Sequence, residues 1–174
     1  VYNAVGKNPA FKRLYNAPWM SVFMLEMYNL TGNDVYLERM FKLLCVYYEI
    51  GGERFYPNGL SMYETVEALK KAGKSEKAAK LTAMYQRHVD RIIETGINYP
   101  EHEVRYEQTI VTPAVAFIAQ MYQITHEPKL IEECHKQLMI LEKFNGRQPS
   151  HLMNDLAVRH WDGYWFGKRM LYGD

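Results

Sequence analysis

Two stretches of the sequence, residues 98–108 and 148–165, each contain carboxylates, histidines and arginines. The candidate catalytic residues in these stretches are three carboxylates and one histidine: Glu103, Glu107, His160 and Asp162. Hydrolysis of a glycosidic bond uses two carboxylates, because one protonates the leaving group and the other acts as base or nucleophile. Elimination at a uronate instead uses a tyrosine–histidine pair and a cation that neutralises the substrate carboxylate. Both sets of residue types are present, so the residues alone leave both reactions open.

Other side chains in the same stretches are suited to binding a polar ligand. The guanidinium groups of Arg105 and Arg159 can each hold a carboxylate through paired hydrogen bonds, and His160 can orient a reacting group or relay a proton. Aromatic side chains there combine a flat apolar face with a polar group and would form a stacking platform: Tyr106, Trp161, Tyr164 and Trp165. The structural alternatives are a solvated acidic patch at residues 101–107 and a turn at Asp162 and Gly163.

Composition excludes several other classes of function. The 174 residues carry a formal net charge of +1, with basic and acidic residues interspersed, so we expect neither a nucleic-acid nor a membrane partner. No apolar run approaches the roughly 18 residues that a membrane span needs. The sequence contains no phosphate-binding glycine motif, nucleophile elbow or zinc-ligand spacing, so no cofactor and no metal are expected. Nothing in the chain specifies a cellular location.

A repeated helical hairpin predicts how these residues are positioned. Residues 27–31 (MYNLT) end one helical pattern, and residues 121–125 (MYQIT) end another 94 residues further along. A third, weaker copy ends at residues 68–73. Recurrence of this kind is typical of stacked helix pairs, so the predicted class is all-α, with tandem antiparallel helical hairpins.

Capping residues predict where the helices begin. Asn16, Asp34, Ser75 and Thr112 are candidate N-caps, with Pro113 in the first turn of the fifth helix. Ser61, followed by a glutamate three residues later, has the form of a capping box for the third helix. Six helices are predicted in total, ending near residues 30, 50, 73, 94, 125 and 145.

The connections between predicted helices are of two kinds. Those within a hairpin are tight, whereas those between hairpins are long, at residues 51–60, 97–111 and 146–165. In a row of antiparallel pairs, the two kinds of connection emerge at opposite ends. The three long loops are therefore predicted to lie on one face, and long loops in a compact domain are frequently functional.

Tandem hairpins with long loops on one face resemble the (α/α)6 toroids of six-hairpin glycosidases and related polysaccharide lyases. Residues 106–110 (YEQTI), Asn154 with Asp155, and residues 160–167 (HWDGYWFG) resemble bacterial six-hairpin glycosidase-like proteins of polysaccharide use, which include uronic-acid-specific hydrolases. The resemblance implies a glycoside hydrolase or polysaccharide lyase acting on a complex or uronic-acid-containing glycan. Six hairpins need roughly 300 residues, so residues 1–174 are interpreted as one helical domain, a partial toroid that is a fragment of a larger (α/α)6 toroid. The alternative is a complete open array of hairpins.

Two further hypotheses remain open at the level of sequence. The chain is an α-solenoid binding module without catalytic activity if its loop residues do not converge. It is a sugar epimerase-like toroid if two histidines, rather than two carboxylates, face one cavity. The expected partner is an oligo- or polysaccharide, and a fragment with exposed apolar flanks would favour a homodimer through those flanks.

Overall fold

The computed structural model of the protein describes residues 14–100 and 108–144. These residues form six α-helices: α1 (Asn16–Thr31), α2 (Asp34–Glu49), α3 (Met62–Lys71), α4 (Ser75–Thr95), α5 (Gln108–Thr125) and α6 (Lys129–Phe144). One short 3-10 helix, Gly52–Arg54, follows α2. The described residues contain no β-strand. The predicted all-α class is confirmed.

The helices pack as three consecutive antiparallel pairs, α1 with α2, α3 with α4, and α5 with α6. Between pairs, α2 and α4 run in the same direction, because Glu38 pairs with Lys77 near their starts and Tyr48 contacts His88 further along both helices. The C-terminal ends of α2 and α4 therefore lie at one end of the array. The prediction of tandem antiparallel hairpins is confirmed.

The repeat seen in the sequence is also a repeat in the structure. α1 and α5 both end with a residue in the left-handed conformation, Gly32 (φ 66°) and His126 (φ 58°). In each case, the N–H of this residue donates to a tyrosine carbonyl four residues earlier, at 2.7 Å. Thr31 and Thr125 each donate a hydroxyl hydrogen bond to the methionine carbonyl four residues before them. The two copies therefore share capping geometry as well as sequence.

Tyrosines contribute much of the core, which explains the high aromatic content of the chain. Tyr47, Tyr85 and Tyr99 are among the largest fully buried side chains. The hydroxyl of Tyr85 lies 2.7 Å from that of Thr65, and Thr65 donates its own proton to the Met62 carbonyl, so Tyr85 is the donor in this pair. A buried hydroxyl without a partner would be costly, and these contacts remove that cost.

The first long loop occupies space that helix α3 leaves empty. α3 has 10 residues and its partner α4 has 21, so the C-terminal half of α4 extends beyond the start of α3. Residues 55 and 56 fill that space: the Phe55 carbonyl bonds His88, and the Tyr56 ring contacts the Tyr99 ring, 5.9 Å between centroids. The first long loop and the start of the second therefore meet at the same end, as predicted. The third, residues 146–165, lies outside the described residues.

The helices lie close to their predicted positions, but their first residues agree less well with the predicted N-caps. Asn16 and Ser75 lie inside the first turns of their helices, and neither of these helices has a side-chain cap. Asn33, rather than Asp34, caps α2 by accepting a hydrogen bond from the Val35 N–H, at 3.0 Å. Residue 33 has the extended backbone that a capping residue requires.

The fifth helix begins at Gln108, four residues before the predicted cap at Thr112. Pro113 therefore lies inside α5 and removes the hydrogen bond that its N–H would have donated. Val111 and Ala114, on either side of this position, are fully buried. The core contacts of these residues offset the loss of one backbone hydrogen bond.

Ser61 does not form the predicted capping box, because its side chain makes no capping hydrogen bond. Gln120 of α5 caps α3 instead. Its Oε1 accepts from the N–H groups of Met62 (2.6 Å) and Tyr63 (3.2 Å), and its Nε2 donates to the Leu60 carbonyl (3.1 Å). One amide side chain thus satisfies three backbone groups and joins the third hairpin to the second.

We expect replacement of Gln120 to destabilise the fold far more than replacement of Ser61. Gln120→Ala leaves two N–H groups and one carbonyl at the start of α3 without partners, and should lower the free energy of unfolding by about 2–3 kcal/mol. Ser61→Ala should change it by less than about 0.5 kcal/mol. Urea unfolding of both variants checks this, and a larger loss for Ser61→Ala would show that the cap is wrongly assigned.

Candidate functional site

All ten predicted site residues lie outside the described residues. Four fall within residues 101–107, namely Glu103, Arg105, Tyr106 and Glu107. Six fall within residues 145–174, namely Arg159, His160, Trp161, Asp162, Tyr164 and Trp165. Their roles therefore stay predictions. The described structure shows the helix ends and loop residues that are next to these segments in the chain.

The segment that carries the first four candidates begins at a firmly packed residue. Tyr99 is fully buried, and its hydroxyl donates to the Oε1 of Gln137, which is itself buried on α6. The ring of Tyr99 also contacts Tyr56 of the first long loop. Tyr99 therefore joins the second long loop to the first loop and to the third hairpin, immediately before the candidate residues.

His88 lies at the centre of this end of the molecule. Its Nε2 is 2.8 Å from the Phe55 carbonyl oxygen, and its Nδ1 is 3.1 Å from the Tyr48 hydroxyl. A carbonyl oxygen can only accept, so Nε2 carries the proton and Nδ1 accepts the hydrogen bond from Tyr48. Of the two neutral tautomers, only this one satisfies both ring nitrogens. The imidazole thus links α2, α4 and the first long loop.

Burial keeps both members of this hydrogen-bonded pair neutral. Removal from water lowers the pKa of His88 to about 4, although the hydrogen bond to the Phe55 carbonyl acts in the opposite direction. Arg91 lowers the same pKa further. Burial also raises the pKa of Tyr48 well above its usual value. His88 is fully buried, so it positions the loop rather than contacting a substrate.

The sequence carries a signal for the burial of His88, because this residue falls on an apolar stripe of α4. Along α4, Tyr85, His88 and Ile92 follow Leu81 by four, seven and eleven residues, so all four lie on one face of the helix. All four residues are fully buried or nearly so. A histidine on such a stripe is expected to have both ring nitrogens bonded, as His88 has.

Gly51 and Gly52 turn the chain from α2 into the first long loop. Gly51 has a φ of 99°, which L-residues with side chains rarely adopt. Gly52 lies directly against the ring of Tyr47, and a Cβ there would overlap that ring. The Tyr47 hydroxyl donates to the Gly52 carbonyl at 2.8 Å. These contacts fix where the loop leaves the helix array.

Within residues 14–100 and 108–144, no three His, Cys, Asp or Glu side chains are grouped so that they could hold a metal ion. In the same part of the chain, no helix has both the length and the apolar character needed to cross a membrane. Cys45 and Cys134 are free thiols.

Comparisons with known proteins show a likeness to a solved structure. No protein-family model matches the chain, and no curated protein matches it. A solved structure of a protein named as a polysaccharide lyase is similar, with 40% sequence identity and a TM-score of 0.79. The match covers 97% of this chain and 25% of that one, so this chain spans a quarter of the length of its relative. The chain thus has the helical fold of a carbohydrate-active protein, and that protein is named a lyase rather than a hydrolase.

We expect His88 to make the stability of the protein depend on pH between about 6.5 and 4. Its pKa is 6.5 unfolded and about 4 folded, so the unfolded chain binds the proton more readily. The stabilisation is complete above pH 6.5 and is lost as pH falls towards 4, by about 3 kcal/mol in total. Urea unfolding of the wild type and of His88→Gln at several pH values measures this contribution.

The control for this measurement is the exposed histidine of α6, His135. His88→Gln removes the titrating group, so stability should fall less steeply with decreasing pH than in the wild type. His135→Gln should leave the wild-type slope unchanged. Equal slopes for the wild type and His88→Gln would show that His88 is not the group responsible.

Proposed function

We propose that this chain is part of a carbohydrate-active enzyme that cleaves a polysaccharide. The observation that carries the proposal is the likeness to a polysaccharide lyase over 97% of the chain at 40% identity. The aromatic residues, carboxylates and arginines of the long loops are the side-chain types that such a substrate requires. The proposal concerns a longer enzyme, because this chain spans a quarter of its relative.

Of the two cleavage reactions, elimination is the one that the named relative favours. In elimination, a base removes the proton on the carbon next to the uronate carboxylate. The electron pair then forms a carbon–carbon double bond, and the glycosidic oxygen leaves with a proton from a general acid. His160 and a tyrosine, Tyr106 or Tyr164, are the proposed base and acid. Arg105 and Arg159 would neutralise the uronate, which makes the proton easier to remove.

Hydrolysis assigns the same segments differently. Asp162 and either Glu103 or Glu107 would be the acid and base, and water would be added across the broken bond. In both reactions, Trp161 and Trp165 would stack against the sugar rings. The two reactions therefore share their binding residues and differ in which groups transfer protons, so the product distinguishes them.

The proposed enzyme contains more helical hairpins than the three described here. We interpret residues 1–174 as one segment of a larger (α/α) toroid, in which further hairpins supply the opposite wall of the cleft. A six-hairpin ring is one arrangement of this kind. A homodimer through the exposed flanks of the array is the competing arrangement, because it would also cover apolar surface.

We expect the intact protein to release unsaturated products from a uronate-containing polysaccharide. The new double bond is conjugated to the carboxylate and absorbs ultraviolet light, so absorbance should rise together with reducing ends. The 174-residue chain alone should be at least a hundredfold slower, because catalytic groups must be held within about 0.5 Å of their working positions.

Each alternative gives a different result in the same assay. New reducing ends without a rise in absorbance would show that the reaction is hydrolysis rather than elimination. Binding of the polysaccharide without new reducing ends would show that the protein is a binding module. A changed sugar configuration without cleavage would show that it is an epimerase. Full activity of the 174-residue chain would contradict the proposal that the cleft needs further hairpins.

If the reaction is hydrolysis, we expect Asp162 to be the general acid of the intact enzyme. Neighbouring aromatic residues would exclude water and favour the protonated carboxyl that a general acid needs near neutral pH. Asp162→Asn keeps the shape and most of the capping ability of the side chain but cannot deliver a proton. Turnover should fall about a hundredfold or more, with the melting temperature unchanged.

The matched control is Asp155→Asn, which makes the same change in the same segment at a residue with no proposed role. It should keep wild-type turnover. If Asp162→Asn also keeps wild-type turnover, Asp162 has only a structural role in a turn with Gly163. In that case elimination by His160 and a tyrosine would be the remaining assignment.

A further inference from the structure

The first helix has the composition of an enclosed helix but is covered on one side only. Glu26 is the single charged residue of α1, and buried residues on the helix are limited to Pro18, Ser21 and Leu25. Large apolar side chains remain exposed along it: Trp19 (61%), Met20 (43%), Phe23 (52%) and Leu30 (81%). A helix that is apolar all round is expected to be buried all round.

The fifth helix shows what such a helix looks like when it is enclosed. α5 carries no charged residue, and it packs against α3, α4 and α6. By contrast, the only extensive helix contact of α1 among the described residues is with its hairpin partner α2. Two helices of similar composition therefore differ in how many neighbours surround them.

The internal repeat aligns the two helices residue by residue. With the capping residues Gly32 and His126 superposed, Phe23 corresponds to Phe117 and Met20 to Ala114. Phe117 is 1% exposed, and its ring contacts His88 of the preceding hairpin, with 5.1 Å between ring centroids. Phe23, at the equivalent position, is exposed. The surface that α5 turns towards the preceding hairpin is the surface that α1 leaves uncovered.

We propose that the exposed apolar stripe of α1, formed by Trp19, Met20, Phe23 and Leu30, is covered by a further helical hairpin of the same polypeptide. That hairpin would lie against α1 as α3 and α4 lie against α5. It would present apolar residues to the stripe and continue the array by one unit. Glu26 is the one charge on the covered helix, so the occupant needs little charge complementarity.

This inference rests on the part of the proposed function that places the chain in a longer enzyme. The experiment measures how accessible α1 is to a reagent and does not measure activity. The inference and the proposed function can therefore fail separately. Phe23→Cys introduces a thiol in the middle of the stripe. Arg39→Cys is the matched control, since Arg39 is an exposed, charged residue on the neighbouring helix α2. Both variants are made in the 174-residue chain and in the intact protein, and treated with a maleimide-polyethylene glycol.

The expected result is labelling of Phe23→Cys in the 174-residue chain and at least tenfold slower labelling in the intact protein. Arg39→Cys should react rapidly in both, after subtraction of labelling at the native thiols Cys45 and Cys134. The slow reaction in the intact protein should not depend on protein concentration, because the covering hairpin belongs to the same polypeptide.

Three outcomes would overturn the proposal. Rapid labelling in both proteins would mean that the stripe faces solvent or a loosely bound ligand. Protection of the 174-residue chain that grows with concentration would identify a second copy as the occupant. Protection of that chain even when dilute would mean that its own residues cover the stripe. If Phe23→Cys does not fold, amide hydrogen exchange of α1 in the two unmodified proteins decides among the same outcomes, with slow exchange confined to the intact protein as the supporting one.

Discussion

The hydrogen bonds of one buried histidine hold together the end of the molecule from which the candidate loops emerge. The short α3 leaves part of α4 uncovered, and the first long loop fills this space with its backbone as well as its side chains. A partly buried carbonyl such as that of Phe55 needs a donor, and His88 supplies it while accepting a hydrogen bond from the Tyr48 hydroxyl. Without this imidazole, α2, α4 and the loop would lose their shared polar contact. The loop would then have to open to water or leave its carbonyl unsatisfied.

How much of the fold could be predicted depends on whether the governing interactions are local. The hairpins were predictable because apolar periodicity and the MYNLT-type endings recur, and both copies end in the same hydrogen-bonded cap. Helix starts were less predictable because a side chain distant in sequence replaced the local cap. Gln120 lies almost sixty residues from the backbone groups of Met62 and Tyr63 that it bonds, and no local pattern around Ser61 indicates this. Similarly, burial of Val111 and Ala114 extended α5 through Pro113, a position at which local rules begin the helix.

Two features of the candidate site could be predicted from the sequence: its residue types, and the end of the molecule at which its loops are expected. The hairpin pattern predicts that α2 and α4 run in the same direction. The first two long loops could therefore be placed at the same end from the sequence. The contact between Tyr56 and Tyr99 shows that they meet. Which carboxylate lies near which histidine depends on contacts between loops that periodicity does not encode. Asp162, Glu103 and His160 therefore stay predictions, because contacts between segments distant in sequence determine how far apart such residues lie.

The contrast between α1 and α5 links the fold to the proposed function. Both helices carry a similar sequence ending, the same threonine and tyrosine contacts at their caps, and a similar scarcity of charge. A repeated element buries its apolar surface against its neighbours, so a unit at the edge of the described array has unmet packing on one side. The same edge is where a cleft would gain its second wall. Completion of the core and completion of the substrate site would then be one event, because the hairpin that covers Phe23 would also bring its own loop to the face that carries the first two long loops.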